Sequence, residues 1–189
     1  LSAAMISSAY KKGRRVWFMY PRNELGDQAS RHLLKWNVQH SMIAAGREES
    51  RAFRVHAVSK DTILRRLNRI KNWPDFLIID ECHLALDAQL LIMATADAAR
   101  AELGLPPMVV IGQTATPERL DGRGLWSGVG GPYDTMVQGP SIPWLTERRF
   151  FSELRYFAPP IEGLDKLRRN GLDLNEADLE ALLEKKKIY

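Results

Sequence analysis

The chain has 189 residues, 45% of them hydrophobic and 26% charged, a balance that excludes a wholly disordered or fibrous protein, and its length fits one domain, or one plus an appendage. Its 27 Lys and Arg against 23 Asp and Glu leave a net charge of +4, compatible with a polyanionic partner without requiring one. The single cysteine, Cys82, excludes an intramolecular disulfide and suits a reducing, cytoplasmic setting, and no apolar run approaches the roughly eighteen residues that cross a bilayer, so no membrane partner is expected.

Leu1, Met5 and Ile6 share one helical face, so residues 1–12 read as a helix that Gly13 ends and whose beginning is expected upstream of Leu1. Val16-Trp-Phe-Met-Tyr20, closed by Pro21, is a continuous apolar run suited to a strand buried on both faces. A helix from about Glu24 to Ala45 places Leu25, Ala29, Leu33, Trp36 and Met42 along one stripe, with Gly46 after it. Phe53–Ser59 is the second strand, and Asp61–Ile70 a basic helix with Ile63, Leu64 and Leu67 inward. Phe76–Ile79 is the third strand, Asp87–Glu102 the next helix, and Met108–Ile111 the fourth strand, ending at Gly112-Gln-Thr-Ala-Thr116. A loop rich in glycine (Gly122, Gly124, Gly128, Gly130, Gly131) leads to Trp144–Arg149 and a last strand near Leu154–Phe157. Pro159-Pro160 marks a domain edge, and Asn175 caps a final helix through Lys187. Apolar strands alternating with helices imply an α/β protein whose parallel sheet is covered on both faces.

In open parallel sheets, ligands gather at the carboxyl ends of the strands, and three polar clusters fall there. In Asp80-Glu81-Cys82-His83, one carboxylate of the adjacent pair can hold a Mg²⁺ that bridges nucleotide phosphates while the other polarises the attacking water. A strand that simply ends in a polar turn reads the same way. In Gly112-Gln-Thr-Ala-Thr-Pro117, two hydroxyls can pass contacts from a nucleotide site to a neighbouring element, although a threonine-rich turn stopped by proline has the same composition. In Tyr20-Pro-Arg-Asn-Glu-Leu25, Arg22 stands in a loop before a helix, where it suits a phosphate or serves as an ordinary solvated cation. Trp17 and Trp36 read as core; Trp126 and Trp144 read as packing residues or as platforms for stacked bases. His32, His40, His56, His83 and Cys82 show no metal-ligand spacing, so no structural metal is expected.

Phe76–His83 resembles the DExH box, motif II, of superfamily 2 helicases and translocases. Thr114-Ala-Thr116 resembles their motif III, Pro21-Arg22-x-Glu24-Leu25 with Gln28 their motif Ia, and Ser59–Thr62 with Leu64-Arg65-Arg66 their motif Ib, all in the family's order. The string from Thr114 to Gly122 is similar to that of bacterial and phage DEAD/DEAH-box proteins related to type III restriction subunits. The resemblance implies a RecA-like (P-loop NTPase) first helicase domain over 1–159, with 160–189 a helical linker toward a second RecA-like domain. It further implies a motor that couples ATP hydrolysis to movement on nucleic acid, DNA rather than RNA, with ATP and Mg²⁺ as cofactors. Asp80 would hold the Mg²⁺ through water, Glu81 would be the catalytic base, and His83 would meet the motif III region, with Thr114 and Thr116 sharing its coupling role. Arg22 and Thr62 would lie on the sugar-phosphate track, and Arg65 and Arg66, on the helix that carries the motif Ib match, would join them.

One departure qualifies the resemblance: no Gly-x-x-x-x-Gly-Lys-Ser/Thr phosphate loop exists in these residues. The chain is therefore expected to be a fragment, inactive alone, of an ATP-hydrolysing parent. A non-catalytic RecA-like scaffold that binds nucleic acid or protein is the alternative, against which two charges crowded at one strand tip argue.

Overall fold

Short runs of β-branched and aromatic residues pair side by side in the computed structural model, which describes residues 1–50, 52–116, 124–153, 155, 161–170 and 173–186. β1 (Val16–Tyr20), β2 (His40–Ile43), β3 (Val55–Ser59), β4 (Phe76–Ile79) and β5 (Val109–Gly112) form one parallel sheet in the order β2-β3-β1-β4-β5. Because side chains alternate along a strand, the sheet feeds two cores. Val16, Phe18 and Tyr20 pack with Val55, Ala57 and Ile78 beneath α1 (Ser2–Lys11) and α2 (Asn23–Lys35), which contribute Ile6 and Leu33. Trp17 and Met19 pack with Val58, Leu77 and Ile79 beneath α3 (Lys60–Arg66) and α4 (Leu86–Glu102), which contribute Ile63, Leu86 and Ile92. Both strand faces being covered is why β1 and β4 are apolar throughout.

Two local expectations need correction. The helix expected over Glu24–Ala45 stops at Lys35; Asn37 takes a left-handed φ of 54°, the Val38 amide bonds back to the Leu33 carbonyl, and the chain turns into β2. Asparagine enters that backbone region more readily than most residues, which makes it a natural helix stop. Trp36 and Met42 consequently share no helical face, and Trp36 is 52% exposed rather than core. Trp17 does lie in the core, against Trp73 and His56. The second correction concerns β5, which pairs with β4 alone among the described strands, so Val109 is 48% exposed instead of covered on both faces.

The described residues up to Asp134 form one compact unit and those from Thr135 a second. In the second, Ser141 caps α5 (Ile142–Glu147) by accepting the Trp144 amide, β6 (Arg169–Asn170) and β7 (Asp173–Leu174) form an antiparallel ribbon, and α6 (Glu176–Lys186) begins where Asn175 Oδ1 accepts the Asp178 amide, as expected of its cap. Apart from Arg155, the strand expected near Leu154–Phe157 lies outside the described residues, as does Pro159-Pro160. Among the described residues, no helix is long and apolar enough to cross a membrane.

The inner stripe of α4 is Leu86, Gln89, Ile92, Ala96 and Arg100, so two polar residues occupy core positions. Arg100 is 4% exposed; its guanidinium donates to the carbonyls of Pro106 and Pro74 at 2.8 Å each and reaches Asp75 at 3.3 Å. It thereby ties the amino-terminal ends of β4 and β5 to the helix that covers them. Arg100→Met, which keeps the stem and removes the donors, is expected to cost about 3 kcal/mol in urea unfolding, because the carbonyls and Asp75 lose their buried partner. A loss below about 1 kcal/mol would mean that water replaces the guanidinium.

Candidate functional site

The parallel register sets Met19, Ile79 and Gly112 side by side, so the next residues of β4 and β5 emerge together at one edge of the sheet. The ladder continues past the strands: the Asp80 amide donates to the Met19 carbonyl at 2.9 Å, the Gln113 amide to the Ile79 carbonyl at 2.8 Å, and the Cys82 amide to the Gln113 carbonyl at 3.0 Å. Asp80-Glu81-Cys82-His83 is therefore strapped to the start of Gln113–Thr116. The turn is tight: Glu81 and Ala85 have φ of 48° and 51°, a left-handed backbone that costs a residue other than glycine roughly 1 kcal/mol or more.

Within this frame Cys82 points inward, 2% exposed, while the Glu81 and His83 side chains keep 42% and 23% of their surface. His83 Nδ1 lies 2.7 Å from Thr114 Oγ1 and 3.4 Å from Glu81 Oε2. Thr114 Oγ1 in turn accepts the Thr116 amide at 3.0 Å and stands 3.1 Å from the Thr116 carbonyl. The imidazole thus bridges the glutamate at the end of β4 and the hydroxyl at the end of β5, and four of the expected side chains fall into one polar string.

Asp80 faces elsewhere, onto a cavity of about 440 Å³ between α1 and α2 whose polar lining includes Ser2, Gln28, His32 and Lys35. Burial, and then the adjacent Glu81 carboxylate, hold the Asp80 carboxyl above the usual aspartate range, partly offset by a backbone hydrogen bond at Glu81. A divalent cation would relieve that crowding of negative charge. Among the described residues, no group of three or more His, Cys, Asp or Glu is placed to hold a metal ion. One or two carboxylates completed by phosphate oxygens and water are enough for Mg²⁺, and Asp80 and Glu81 fit that pattern.

Two of the expected nucleic-acid residues, Arg22 and Thr62, follow strands that end at the same edge. Arg22 is exposed at the head of α2, just after β1, and α3 starts directly after β3, whose Ser59 is in register with Tyr20. Arg65 is exposed, whereas Arg66 is half-buried and pairs with Glu49 at 3.3 Å. Thr62 is buried in the first turn of α3, 7% exposed. Trp144, with Arg148 4.0 Å above its ring and Phe150 stacked at 6.2 Å, and Trp126 are partly exposed, each in its own unit.

Several polar residues at the site escaped sequence reasoning. Gln113 accepts the Ser2 hydroxyl and so ties the start of α1 to the end of β5. Gln89 donates to the carbonyls of Cys82 and Leu84 behind the acidic turn. The one signal for Gln89 was a polar residue at a core position of the α4 stripe.

Residues 1–119 match the family described as type III restriction enzyme, res subunit. The chain belongs to this family. The sheet described above is then the RecA-like fold of a first domain of superfamily 2 helicases. A 51.5 kDa protein of Lactococcus phage (isolate 7-9) is 28% identical over 180 residues, which cover 92% of this chain and 33% of that protein. The chain thus spans about a third of the length of the curated relative it matches.

Because the Asp80 carboxyl is held above the unfolded value of 3.8, its ionised form disfavours this res-subunit fold: the penalty is absent below that value and complete once the pH exceeds the folded one. Asp80→Asn is therefore expected to melt at a higher temperature than the unsubstituted chain at pH 7, the gap closing as the pH falls below about 4. Equal midpoints at pH 7 would mean that water solvates this carboxylate in the fold.

Proposed function

We propose that this chain is the first RecA-like domain, residues 1–159, of an ATP-dependent helicase or translocase, with 160–189 leading to a second RecA-like domain of the same polypeptide. The observation that carries the reading is the pair of carboxylates, Asp80 and Glu81, at the end of a central parallel strand, with Glu81 joined through His83 to Thr114 just past the next strand. Membership in the res-subunit family supports a helicase-like, ATP-dependent action on nucleic acid. The choice of DNA over RNA rests on the family's description as a restriction enzyme, and the single buried Cys82 supports a cytoplasmic setting.

In this reading Asp80 would hold Mg²⁺ through water, and the ion, when bound, would neutralise charge on the nucleotide phosphates. Glu81, exposed enough to meet water, takes the proton of the attacking water as general base. Once protonated, Glu81 is a weaker partner for His83, and the imidazole passes the change to Thr114 and Thr116. Arg22, Arg65 and Arg66 contact backbone phosphates, and Thr62, in the first turn of the same helix as the last two, is the fourth residue of that track. The 189 residues on their own, which contain no Gly-x-x-x-x-Gly-Lys-Ser/Thr, are expected to turn over ATP negligibly.

In the full-length parent, ATP hydrolysis is expected to rise with DNA, and Glu81→Gln to lower kcat by about 10²-fold or more while ATP is still bound. Retained polymer binding with no hydrolysis on DNA or RNA would instead indicate the non-catalytic scaffold. Arg65→Glu together with Arg66→Glu is expected to weaken DNA binding and flatten the slope of log K against log salt by about 2, near one for each phosphate that is no longer neutralised. An unchanged slope would remove both arginines from the track.

A further inference from the structure

We propose that Gln89 and Tyr133 are positioning residues for the acidic turn: a buried amide and a phenol that hold Asp80 and Glu81 from behind. The inference rests on the role proposed above for those carboxylates. The turn is left-handed at Glu81 and at Ala85, so the backbone between them needs an external hold. Two of its amides are already used, Cys82 donating to the Gln113 carbonyl past β5 and Leu84 to the Glu81 carbonyl within the turn. Gln89 Nε2 takes the carbonyls of the same two residues, at 3.1 Å from Cys82 and 2.6 Å from Leu84. One amide nitrogen with two protons thus secures both carbonyls that follow the catalytic pair.

Gln89 is 2% exposed, between Leu86 and Ile92 on the stripe of α4, where leucine would serve packing as well. Its remaining polar atom is used too: the Tyr133 hydroxyl donates to Gln89 Oε1 at 3.1 Å. Tyr133 comes from the glycine-rich segment, which closes on itself where the Tyr133 amide donates to the Leu125 carbonyl and the Ser127 amide to the Tyr133 carbonyl, with Leu125 seated in the core. The phenol fits only because Gly112 ends β5. A Cβ there would stand 2.7 Å from the Tyr133 ring and 2.8 Å from Cys82 Sγ. A continuous path of contacts therefore runs from the glycine-rich segment through Tyr133 and Gln89 to the backbone that aims Glu81.

The test uses the full-length protein with Gln89→Met, which keeps length and removes the donors, and Tyr133→Phe, which keeps the ring over Gly112 and removes only the hydroxyl. Steady-state ATP hydrolysis is read beside Glu81→Gln, and hydrogen exchange of the backbone amides of the 81–85 turn is followed by mass spectrometry well below the melting midpoint. Gln89→Met is expected to lower kcat about tenfold or more with the KM for ATP within about twofold, Tyr133→Phe to lower it by a smaller factor, and both to speed exchange of the turn several-fold. Turnover and exchange unchanged in both variants would overturn the proposal, as would a loss of activity that merely follows a lower melting midpoint. If the unsubstituted protein hydrolyses no ATP, the proposed function fails, and exchange alone then decides whether the brace exists. If Gln89→Met does not fold, Tyr133→Phe decides.

Discussion

The candidate site depends on the hydrogen-bond ladder that joins β1, β4 and β5. Parallel register brings Met19, Ile79 and Gly112 level, and two further backbone bonds, Asp80 to Met19 and Gln113 to Ile79, carry the ladder one residue past the strands. A slip of one residue between β4 and β5 would turn every side chain of one strand to the opposite face and separate His83 from Thr114. The polar string of Glu81, His83, Thr114 and Thr116 is thus a product of backbone pairing before it is a product of side-chain chemistry.

The two ends of the sheet are held differently. At the amino-terminal ends of β4 and β5, the buried Arg100 donates from each of its three nitrogens, to two main-chain carbonyls and to Asp75. At the carboxyl ends, the chain accepts unfavourable local terms: a left-handed Glu81, a second left-handed residue at Ala85, and an aspartate whose charge is opposed by burial and by its neighbour. Strain and crowded charge persist only where surrounding structure enforces them, and here the backbone straps from Gln113 and the side chain of Gln89 do so.

The two central strands were legible in the sequence because burial on both faces demands unbroken apolar runs, and Val16–Tyr20 and Phe76–Ile79 are such runs. β2 was not. His40–Ile43 mixes half-buried and buried positions over four residues, too short and too mixed to stand out from the helix before it, and only the turn at Asn37 separates the two. The exposure of Trp36 follows from the same misplaced boundary.

For the site, the sequence by itself determined that two carboxylates and a histidine follow a buried strand and that two threonines follow a later one, since a strand end is written in where its apolar letters stop. The resemblance implied that His83 meets the Thr114–Thr116 region; only the tertiary structure decided that Thr114, 31 positions away, is the residue it meets, and that Tyr133 meets Gln89, 44 positions away. Those contacts depend on strand order, on register and on the space left by Gly112, quantities that arise between segments and leave no local pattern in either one.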